Sequence, residues 1–180
     1  MKIFIMGANG SGKSTVGERL AHDLKWGWVD TGAIFRESKE PWVIEQLKTA
    51  QLFDDDMAAG LVLPRLSEVP NVVFTGFPRN LRQAEILVEH KAVPDIIIEV
   101  VVPVAEIQKR LSVRGREQDA PEIVEERIAM YEATKAEILA VLIGNGAKHL
   151  AIDGVGTQDE VYARVLGTLR GATVTGETTA

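Results

Sequence analysis

The sequence contains no cysteine, which excludes disulfide bonds, thiolate-bound zinc and a cysteine nucleophile. Aromatic residues make up only 6% of the 180 positions, and no apolar run approaches the length of a membrane span. The net charge of −6 disfavours a nucleic-acid partner. Because 46% of the residues are hydrophobic, we expect one globular domain with a substantial core.

Because the apolar run from Ile3 to Met6 begins almost at once, we expect no signal peptide. Together with the missing cysteines and membrane segments, this predicts an enzyme that works in the cytoplasm. We expect it to act without a membrane or a nucleic acid.

Glycine is concentrated in the stretch from Gly7 to Thr15, which matches the phosphate-binding pattern G-x-x-x-x-G-K-[ST]. The stretch follows an apolar run and precedes a helical pattern, as a phosphate loop (P-loop) requires. Its backbone N–H groups and the following helix N-terminus favour a phosphate. Lys13 can reach the β- and γ-phosphates, and the Ser14 hydroxyl can bind Mg²⁺. The residues predicted to bind ATP here are Gly10, Ser11, Gly12, Lys13, Ser14 and Thr15.

Strand-like runs recur at wide spacing, and most are continuously apolar, which is typical of strands buried on both faces of a parallel sheet. Helical patterns lie between them. This alternation predicts an α/β fold with a doubly wound, five-stranded parallel sheet flanked by helices. The predicted strands are Lys2–Met6, Trp26–Val29, Asn71–Thr75, Asp95–Val101 and Lys148–Ile152.

Ligands of such sheets bind at the carboxyl ends of the strands. Four segments of this chain lie at those ends: the P-loop, Asp30–Gly32, Thr75–Gly76 and Asp153–Gly154. We therefore expect them to converge on one crevice.

Two segments interrupt the alternation. About forty residues between the second and third strands carry only helical patterns, which predicts a small helical insert at 30–67. A short polar segment with positive charge at 113–119 is typical of a lid loop. The tail 171–180 is rich in Gly and Thr and is predicted to be disordered. The rest of a single domain spanning 1–170 forms the core, at 1–29, 68–112 and 120–170.

Two arginines follow neighbouring strands. Arg36 projects from the helix that begins near Asp30, and Arg79 ends a turn that Pro78 makes rigid. Each alone could be a surface arginine in an ordinary salt bridge. Their shared position at the sheet edge favours a site for a second phosphate, distinct from the one held by the P-loop.

The turn Gly76–Arg79, with Gln83 four positions on, resembles the nucleoside monophosphate kinase family, and most of all its adenylate kinase branch with a short lid. The similarity covers almost the whole chain. It implies transfer of the γ-phosphoryl group of ATP to AMP, with Mg²⁺ as cofactor. It also implies a monomer.

The resemblance implies roles for single residues. Gln83 matches the position that reads the adenine of AMP. Further ATP contacts would come from Arg110 and Arg114. The implied catalytic residues are Lys13, Arg79, Arg110, Arg114, Arg116 and Arg127. The implied AMP-binding residues are Thr31, Gly32, Arg36, Gly76, Phe77, Arg79, Gln83, Arg116 and Arg127.

Three positions depart from the family pattern, and the first is Asn9, which stands where adenylate kinases usually have Pro. Thr75 stands where the family usually has an Asp that supports a Mg²⁺-bound water, and Ser14 stands where adenylate kinases usually have Gly. Our hypothesis is that Ser14 binds Mg²⁺ directly and Asp30 assists through water. The alternatives are that Thr75 is a strand residue and that Asp30 caps a helix.

Other functions are considered beside this one. The segment from Asp30 to Arg36 also resembles cytidylate kinases, so the sequence leaves the acceptor open between AMP and CMP or UMP. A small-metabolite kinase of the gluconate or shikimate type would share the P-loop but would not explain Gly76–Arg79 with Gln83. A non-enzymatic ATP-binding regulator would not explain six well-placed arginines.

Overall fold

The computed structural model describes residues 1–39, 41–49, 51–114 and 120–174, without the side chains of residues 42, 114 and 172–174. Over these residues the chain forms five strands and eight helices. The strands are β1 (Lys2–Met6), β2 (Gly27–Asp30), β3 (Val72–Thr75), β4 (Ile96–Val101) and β5 (Lys148–Asp153). The helices are α1 (Lys13–Leu24), α2 (Thr31–Glu37), α3 (Pro41–Leu47), α4 (Asp55–Ser67), α5 (Leu81–Glu89), α6 (Val104–Arg114), α7 (Pro121–Gly144) and α8 (Gln158–Val174).

The strands form one parallel sheet in the order β2-β3-β1-β4-β5. In register, Ile3 pairs with Val73 on one side and with Ile96 on the other. Because β1 lies at the centre, the chain winds first toward one edge and then toward the other. The predicted doubly wound, five-stranded parallel sheet is therefore confirmed.

Successive side chains of β1 point to opposite faces of the sheet and so belong to two separate parts of the core. Ile3 and Ile5 pack with residues of α1 and α8, whereas Phe4 and Met6 pack with residues of α4, α5 and α7. Phe4 also stacks on Phe74 of β3 with ring centroids 5.2 Å apart. Burial on both faces explains why the strands read as continuous apolar runs.

The helical insert predicted between β2 and β3 consists of α2, α3 and α4. It packs on the main core through buried residues such as Val43 and Ala58. Phe35 of α2 stacks on Phe53 with centroids 3.8 Å apart, which closes the insert on itself. The insert thus stands at the carboxyl edge of the sheet, beside the P-loop.

Side-chain caps fix where the helices of this edge begin. Asp30 Oδ1 accepts from the backbone N–H of Ala33 at 3.2 Å, so Asp30 caps the start of α2, which is the alternative given for it from the sequence. Asp54 Oδ1 accepts from the N–H groups of Asp56 and Met57, so Asp54 caps the start of α4. Both caps hold the insert's helices next to the strand ends.

Some boundaries differ from those predicted. β2 begins at Gly27 rather than Trp26, because Lys25 adopts a left-handed conformation and the N–H of Trp26 donates to the carbonyl of Ala21. Trp26 therefore completes the end of α1. At the other end of the chain, α8 continues to Val174, four residues into the predicted tail. The end of that tail, 175–180, lies outside the described residues.

Buried polar groups tie β4 to its neighbours. Glu99 accepts from the Tyr131 hydroxyl at 2.9 Å and pairs with His149 Nε2 at 2.9 Å. Burial, followed by the charge of Glu99, raises the pKa of Tyr131 well above its usual value. These contacts fix α7 and β5 against β4. None of the described helices has the length and apolar composition that crossing a membrane requires.

Candidate active site

A cleft of about 1050 Å³ opens at the carboxyl edge of the sheet. Its walls come from the P-loop, the start of α2, the turn Gly76–Arg79 and Gly154 after β5. These are the segments that the sequence predicts to converge. Lys13 and Arg79, from separate strand ends, line the same cleft.

Positive charge is concentrated on the described walls of the cleft, although the chain carries a net charge of −6. The walls hold seven Lys and Arg residues against the three carboxylates of Glu18, Asp30 and Glu37. An excess of cations on a concave surface favours an anionic ligand. The cations are Lys13, Arg19, Arg36, Arg65, Arg79, Arg110 and Arg127.

The P-loop has the backbone of an anion cradle. Gly10 and Gly12 have φ angles of +84° and +93°, which side chains rarely adopt, and α1 begins immediately after Gly12. A Cβ on Gly10 would lie 2.8 Å from Leu111 Cγ, so there is also no space for a larger residue. Lys13 Nζ lies over the loop and donates to the carbonyl of Ala8 at 3.2 Å.

Three buried polar atoms of the cleft lining make no hydrogen bond to any residue that the structure describes. They are Asn9 Nδ2, Ser11 Oγ and Thr31 Oγ1. A buried polar group without a partner costs about 1–3 kcal/mol. A polar ligand that formed hydrogen bonds with these three atoms would recover that free energy. The unpaired atoms therefore favour binding of a polar ligand in the cleft.

Arg110 of α6 joins the P-loop to the loop after β5. Its Nη1 donates to the carbonyl of Ser11 at 3.3 Å, and its Nη2 donates to the carbonyl of Gly154 at 2.9 Å. Glu106, one turn earlier, accepts from Arg110 Nε at 2.9 Å. The guanidinium is therefore held in one orientation beside the P-loop.

Arg79 is fixed by its own turn. Its Nε donates to the carbonyl of Gly76 at 2.7 Å, and Gly76 has a φ of +87° that lets the turn close. The Phe77–Pro78 peptide is cis, and the Phe77 ring is fully buried in the core beneath the cleft. Phe77 thus supports the turn from below.

Three arginines, Arg36, Arg79 and Arg127, come together in the cleft near the turn Gly76–Arg79. The pKa of Arg79 is lowered to about 10, chiefly by enclosure in the cleft and next by the charge of Arg127. The charge of Asp30 opposes this shift, and that of Arg36 adds to it. The open mouth of the cleft leaves Arg79 accessible to solvent, and at neutral pH it remains a cation. Arg36 Nη2 lies 3.7 Å from Asp30 Oδ2. Positive groups that repel one another are stabilised when an anion binds between them.

Arg127 reaches across from α7 to the insert. Its Nη2 donates to the backbone carbonyls of Leu47 and Thr49 at 3.2 and 2.8 Å. Both carbonyls lie at and just after the end of α3, where helix carbonyls lack intrahelical partners. Arg127 therefore connects α7, the long helix of the core, to the helical insert.

Gln83 is 2% exposed and lines the cleft. Its Oε1 accepts from the backbone N–H of Arg79 at 2.8 Å, and its Nε2 donates to Asp55 Oδ1 at 2.8 Å. The amide predicted to read a base is thus held on both sides by the protein. The hydrogen bond between Gln83 and Asp55 was not predicted from the sequence.

Thr75 has the role of a strand residue. It is completely buried, and its Oγ1 donates to the carbonyl of Ile5 on β1 at 2.7 Å. The position where the family usually has Asp therefore serves the sheet in this chain.

The described residues contain no group of three or more His, Cys, Asp or Glu that could hold a metal ion. Mg²⁺ in nucleotide enzymes is usually held by substrate phosphates with one or two protein ligands, so this composition fits a metal that arrives with a nucleotide. The Ser14 hydroxyl at the start of α1 suits one such ligand. Asp30 is also engaged as a cap and with Arg36, so it suits a metal less well.

Most predicted site residues lie in the cleft. Those whose side chains or backbone line it are Gly10, Ser11, Gly12, Lys13, Ser14, Thr15, Asp30, Thr31, Gly32, Arg36, Gly76, Phe77, Arg79, Gln83, Arg110 and Arg127. The side chain of Arg114, whose backbone ends α6, lies outside the described part of the chain. Arg116 lies outside it altogether.

Asp55 and Glu106 contact site residues but were not predicted from the sequence. Glu106 could have been found, because it stands four residues before Arg110 on a helical pattern. Asp55 gave no local signal, because it lies in a run of three aspartates and its partners are 25 and 28 residues further along the chain.

A parallel sheet whose first strand leads into a phosphate loop, facing a second cationic wall, defines a P-loop protein that can bind two phosphate-bearing ligands. The family model described as adenylate kinase matches residues 5–144. The chain belongs to the adenylate kinase family.

Relatives cover nearly the whole chain. The adenylate kinase of Mycobacterium leprae (strain Br4923) is 31% identical over 182 residues, which are 94% of this chain and 99% of that protein. The adenylate kinase of Thermus thermophilus is 30% identical, over 93% of this chain and 96% of that protein. The adenylate kinase of Stenotrophomonas maltophilia (strain K279a) is 29% identical, over 94% and 100%.

Proposed function

We propose that the protein transfers the γ-phosphoryl group of ATP to AMP and releases two molecules of ADP. The single observation that carries this is the common cleft of Lys13, on the P-loop, and Arg79, on the turn after β3. A single phosphate-binding site would be expected in a nucleotide-binding protein of any kind. Two phosphate-binding sites in one cleft favour a reaction between two nucleotides, which is also the activity named for the relatives.

The chemistry needs no base from the protein. An oxygen of the AMP phosphate, ionised at neutral pH, attacks the γ-phosphorus of ATP. The bond from that phosphorus to the β,γ-bridging oxygen breaks, and its electron pair stays on the leaving ADP. The transferring group spreads negative charge over its oxygens, so the protein contributes chiefly position and positive charge.

ATP would bind at the P-loop. Its β- and γ-phosphates would lie on the N–H groups from Gly10 to Thr15 and at the positive end of α1. Lys13 would exchange the Ala8 carbonyl for a phosphate oxygen, which is a stronger, charge-assisted hydrogen bond. Ser11 Oγ would gain a partner in the same step.

AMP would bind at the wall formed by the start of α2, the turn Gly76–Arg79 and Gln83, which we call the acceptor wall. Its phosphate would lie between Arg36 and Arg79, where it would relieve their mutual repulsion. Thr31, Gly32 and Gly76 would contact the nucleotide at close range, because two of them lack a side chain. Phe77 would support that wall from below, and Gln83 would meet the base edge.

Further arginines would stabilise the phosphoryl group in flight. Arg110 and Arg127 project into the cleft from α6 and α7, and Arg114 and Arg116 follow at and just after the end of α6. Arg110 and Arg114 would act on the ATP side, whereas Arg116 and Arg127 would act on the AMP side. Positive groups placed in advance around a developing charge are usually the largest source of rate enhancement.

Mg²⁺ would be held by the Ser14 hydroxyl, with Asp30 as a water-mediated partner. When bound, it would neutralise charge on the β- and γ-phosphoryl oxygens. The preference for Ser14 comes from its place at the start of α1. We further propose that the enzyme acts as a monomer in the cytoplasm and without nucleic acid or membrane.

A coupled assay tests the function. ATP and Mg²⁺ are offered with AMP, CMP, UMP, GMP or a sugar acid, and ADP production is followed. We expect rapid turnover with AMP. Turnover with CMP or UMP alone would indicate a cytidylate-type enzyme, and turnover with a sugar acid alone would indicate a metabolite kinase. ATP binding without turnover on any acceptor would contradict an enzymatic role.

A matched pair of variants tests the two-site cleft. Arg79→Ala removes the acceptor cation, and Arg82→Ala removes an arginine on the same helix-turn unit that pairs with Glu85 and Glu89 on the surface. We expect KM for AMP to rise in Arg79→Ala with little change in KM for ATP. Equal effects of both variants would show that the acceptor phosphate binds elsewhere.

A further inference from the structure

One carboxylate outside the predicted site joins two helices at the acceptor wall. Asp55 is the first residue of α4, and its Oδ1 accepts from Asn80 Nδ2 at 2.9 Å and from Gln83 Nε2 at 2.8 Å. On the other side of the Gln83 amide, Oε1 accepts from the backbone N–H of Arg79 at 2.8 Å. The Gln83 amide is therefore held between an acceptor and a donor.

These two contacts permit a single orientation of the amide. A carboxylate can only accept hydrogen bonds, and a backbone N–H can only donate one. A rotation of the Gln83 amide by half a turn would place Oε1 against the Asp55 oxygen and Nε2 against the Arg79 N–H. Both hydrogen bonds would become repulsive contacts in a site where the side chain is 2% exposed.

The orientation matters because the amide keeps hydrogen-bonding capacity for a ligand. After the two internal bonds, Oε1 retains a lone pair and Nε2 retains a hydrogen. Adenine offers a donor at N6 and an acceptor at N1, whereas hypoxanthine offers an acceptor at O6 and a donor at N1. A fixed amide can match only one of these two opposite patterns.

We propose that Asp55 is a positioning residue that sets the base specificity of the acceptor site by fixing the polarity of the Gln83 amide. The inference rests on the proposed function, because it takes Gln83 as the group that meets the acceptor base. In the native protein the fixed amide favours AMP over inosine monophosphate. Without the carboxylate, rotation of the amide creates one repulsive contact, with the Arg79 N–H, instead of two, so the opposite pattern becomes more accessible.

The test compares AMP with inosine monophosphate, which share ring size, sugar and phosphate. Dissociation constants are measured by calorimetry for the parent protein, Asp55→Asn and Asp56→Asn. An asparagine at position 55 can present either an oxygen or an NH₂ group to Gln83. Asp56→Asn makes the same change of charge on the next residue, which is exposed. We expect the preference for AMP to fall about tenfold or more in Asp55→Asn, as loss of a hydrogen bond to a charged group implies.

Asp55→Ser provides a second variant, because a hydroxyl also donates or accepts, and thermal melting of every variant checks folding. If AMP and inosine monophosphate lose affinity by the same factor in both Asp55 variants, Asp55 only supports the fold and the proposal is wrong. An unchanged preference would contradict it as well. Turnover of AMP by the parent is measured separately, so loss of the proposed function would be visible even where the binding preference shifts as expected.

Discussion

Replacement of Thr75 by the aspartate that the family usually carries should destabilise this protein rather than improve it. The Thr75 hydroxyl donates to the Ile5 carbonyl at 2.7 Å in a position with no exposed surface. An ionised carboxylate cannot donate, so Thr75→Asp places two acceptors face to face in the sheet. We expect loss of the hydrogen bond, about 1 kcal/mol, and several kcal/mol more for burial of the charge.

The expected deficit is therefore about 4 kcal/mol at neutral pH, out of a total stability of about 5–15 kcal/mol for a domain. Thr75→Val removes the hydroxyl without adding a charge and should lose only about 1 kcal/mol. Thr168→Asp makes the same substitution on the surface of α8, where the change should stay within about 0.5 kcal/mol. Urea denaturation followed by circular dichroism measures all three.

The deficit of Thr75→Asp should depend on pH. Burial raises the pKa of the introduced carboxyl in the folded state above its unfolded value of about 3.9. The folded state then binds the proton more tightly, so stability falls as the pH rises from about 4 through the folded-state pKa. A Thr75→Asp protein as stable as the parent at neutral pH, or one whose stability rises with pH in this range, would refute the reasoning.

Three further outcomes follow from the cleft. Lys13→Ala should lower kcat about 10²–10³-fold, as removal of one preorganised donor does elsewhere, while the melting temperature stays close to that of the parent; steady-state kinetics with saturating ATP and AMP measure it. Chelation of Mg²⁺ by EDTA should abolish turnover, and added Mg²⁺ should restore it; full activity in EDTA would remove the metal from the reaction. Arg110→Lys should raise KM for ATP, because a single ammonium group cannot reach both the Ser11 and Gly154 carbonyls; an unchanged KM would show that this contact is dispensable.

Much of the fold was predictable because its signals are local. The continuous apolar strands, the glycines of the P-loop and the breaks between them predicted the parallel sheet and the helical insert. The positions at which α1 and α8 end were harder to predict from the sequence. A left-handed Lys25 takes Trp26 out of β2, and helix continues past Gly171 even though the composition there is typical of a tail.

The candidate site was predictable where a residue's position in a motif determines its place at the sheet edge. Lys13, Arg36 and Arg79 line the cleft for that reason. Contacts between distant segments carried no such signal. The hydrogen bond of Asp55 to Gln83 and those of Arg127 to the insert depend on how α4 and α7 pack, which no local pattern reports.

The backbone contacts of Arg127 bear on how nucleotides bind to the cleft and leave it. Its Nη2 already donates to the carbonyls of Leu47 and Thr49, so a phosphoryl group that bound at this nitrogen would have to displace those two acceptors. Part of the attraction between arginine and nucleotide would then be offset when the nucleotide binds. If Arg127 acts as proposed, the two carbonyls would regain its Nη2 after the reaction, and this exchange would lower the barrier to departure of ADP, a step that often limits turnover in enzymes.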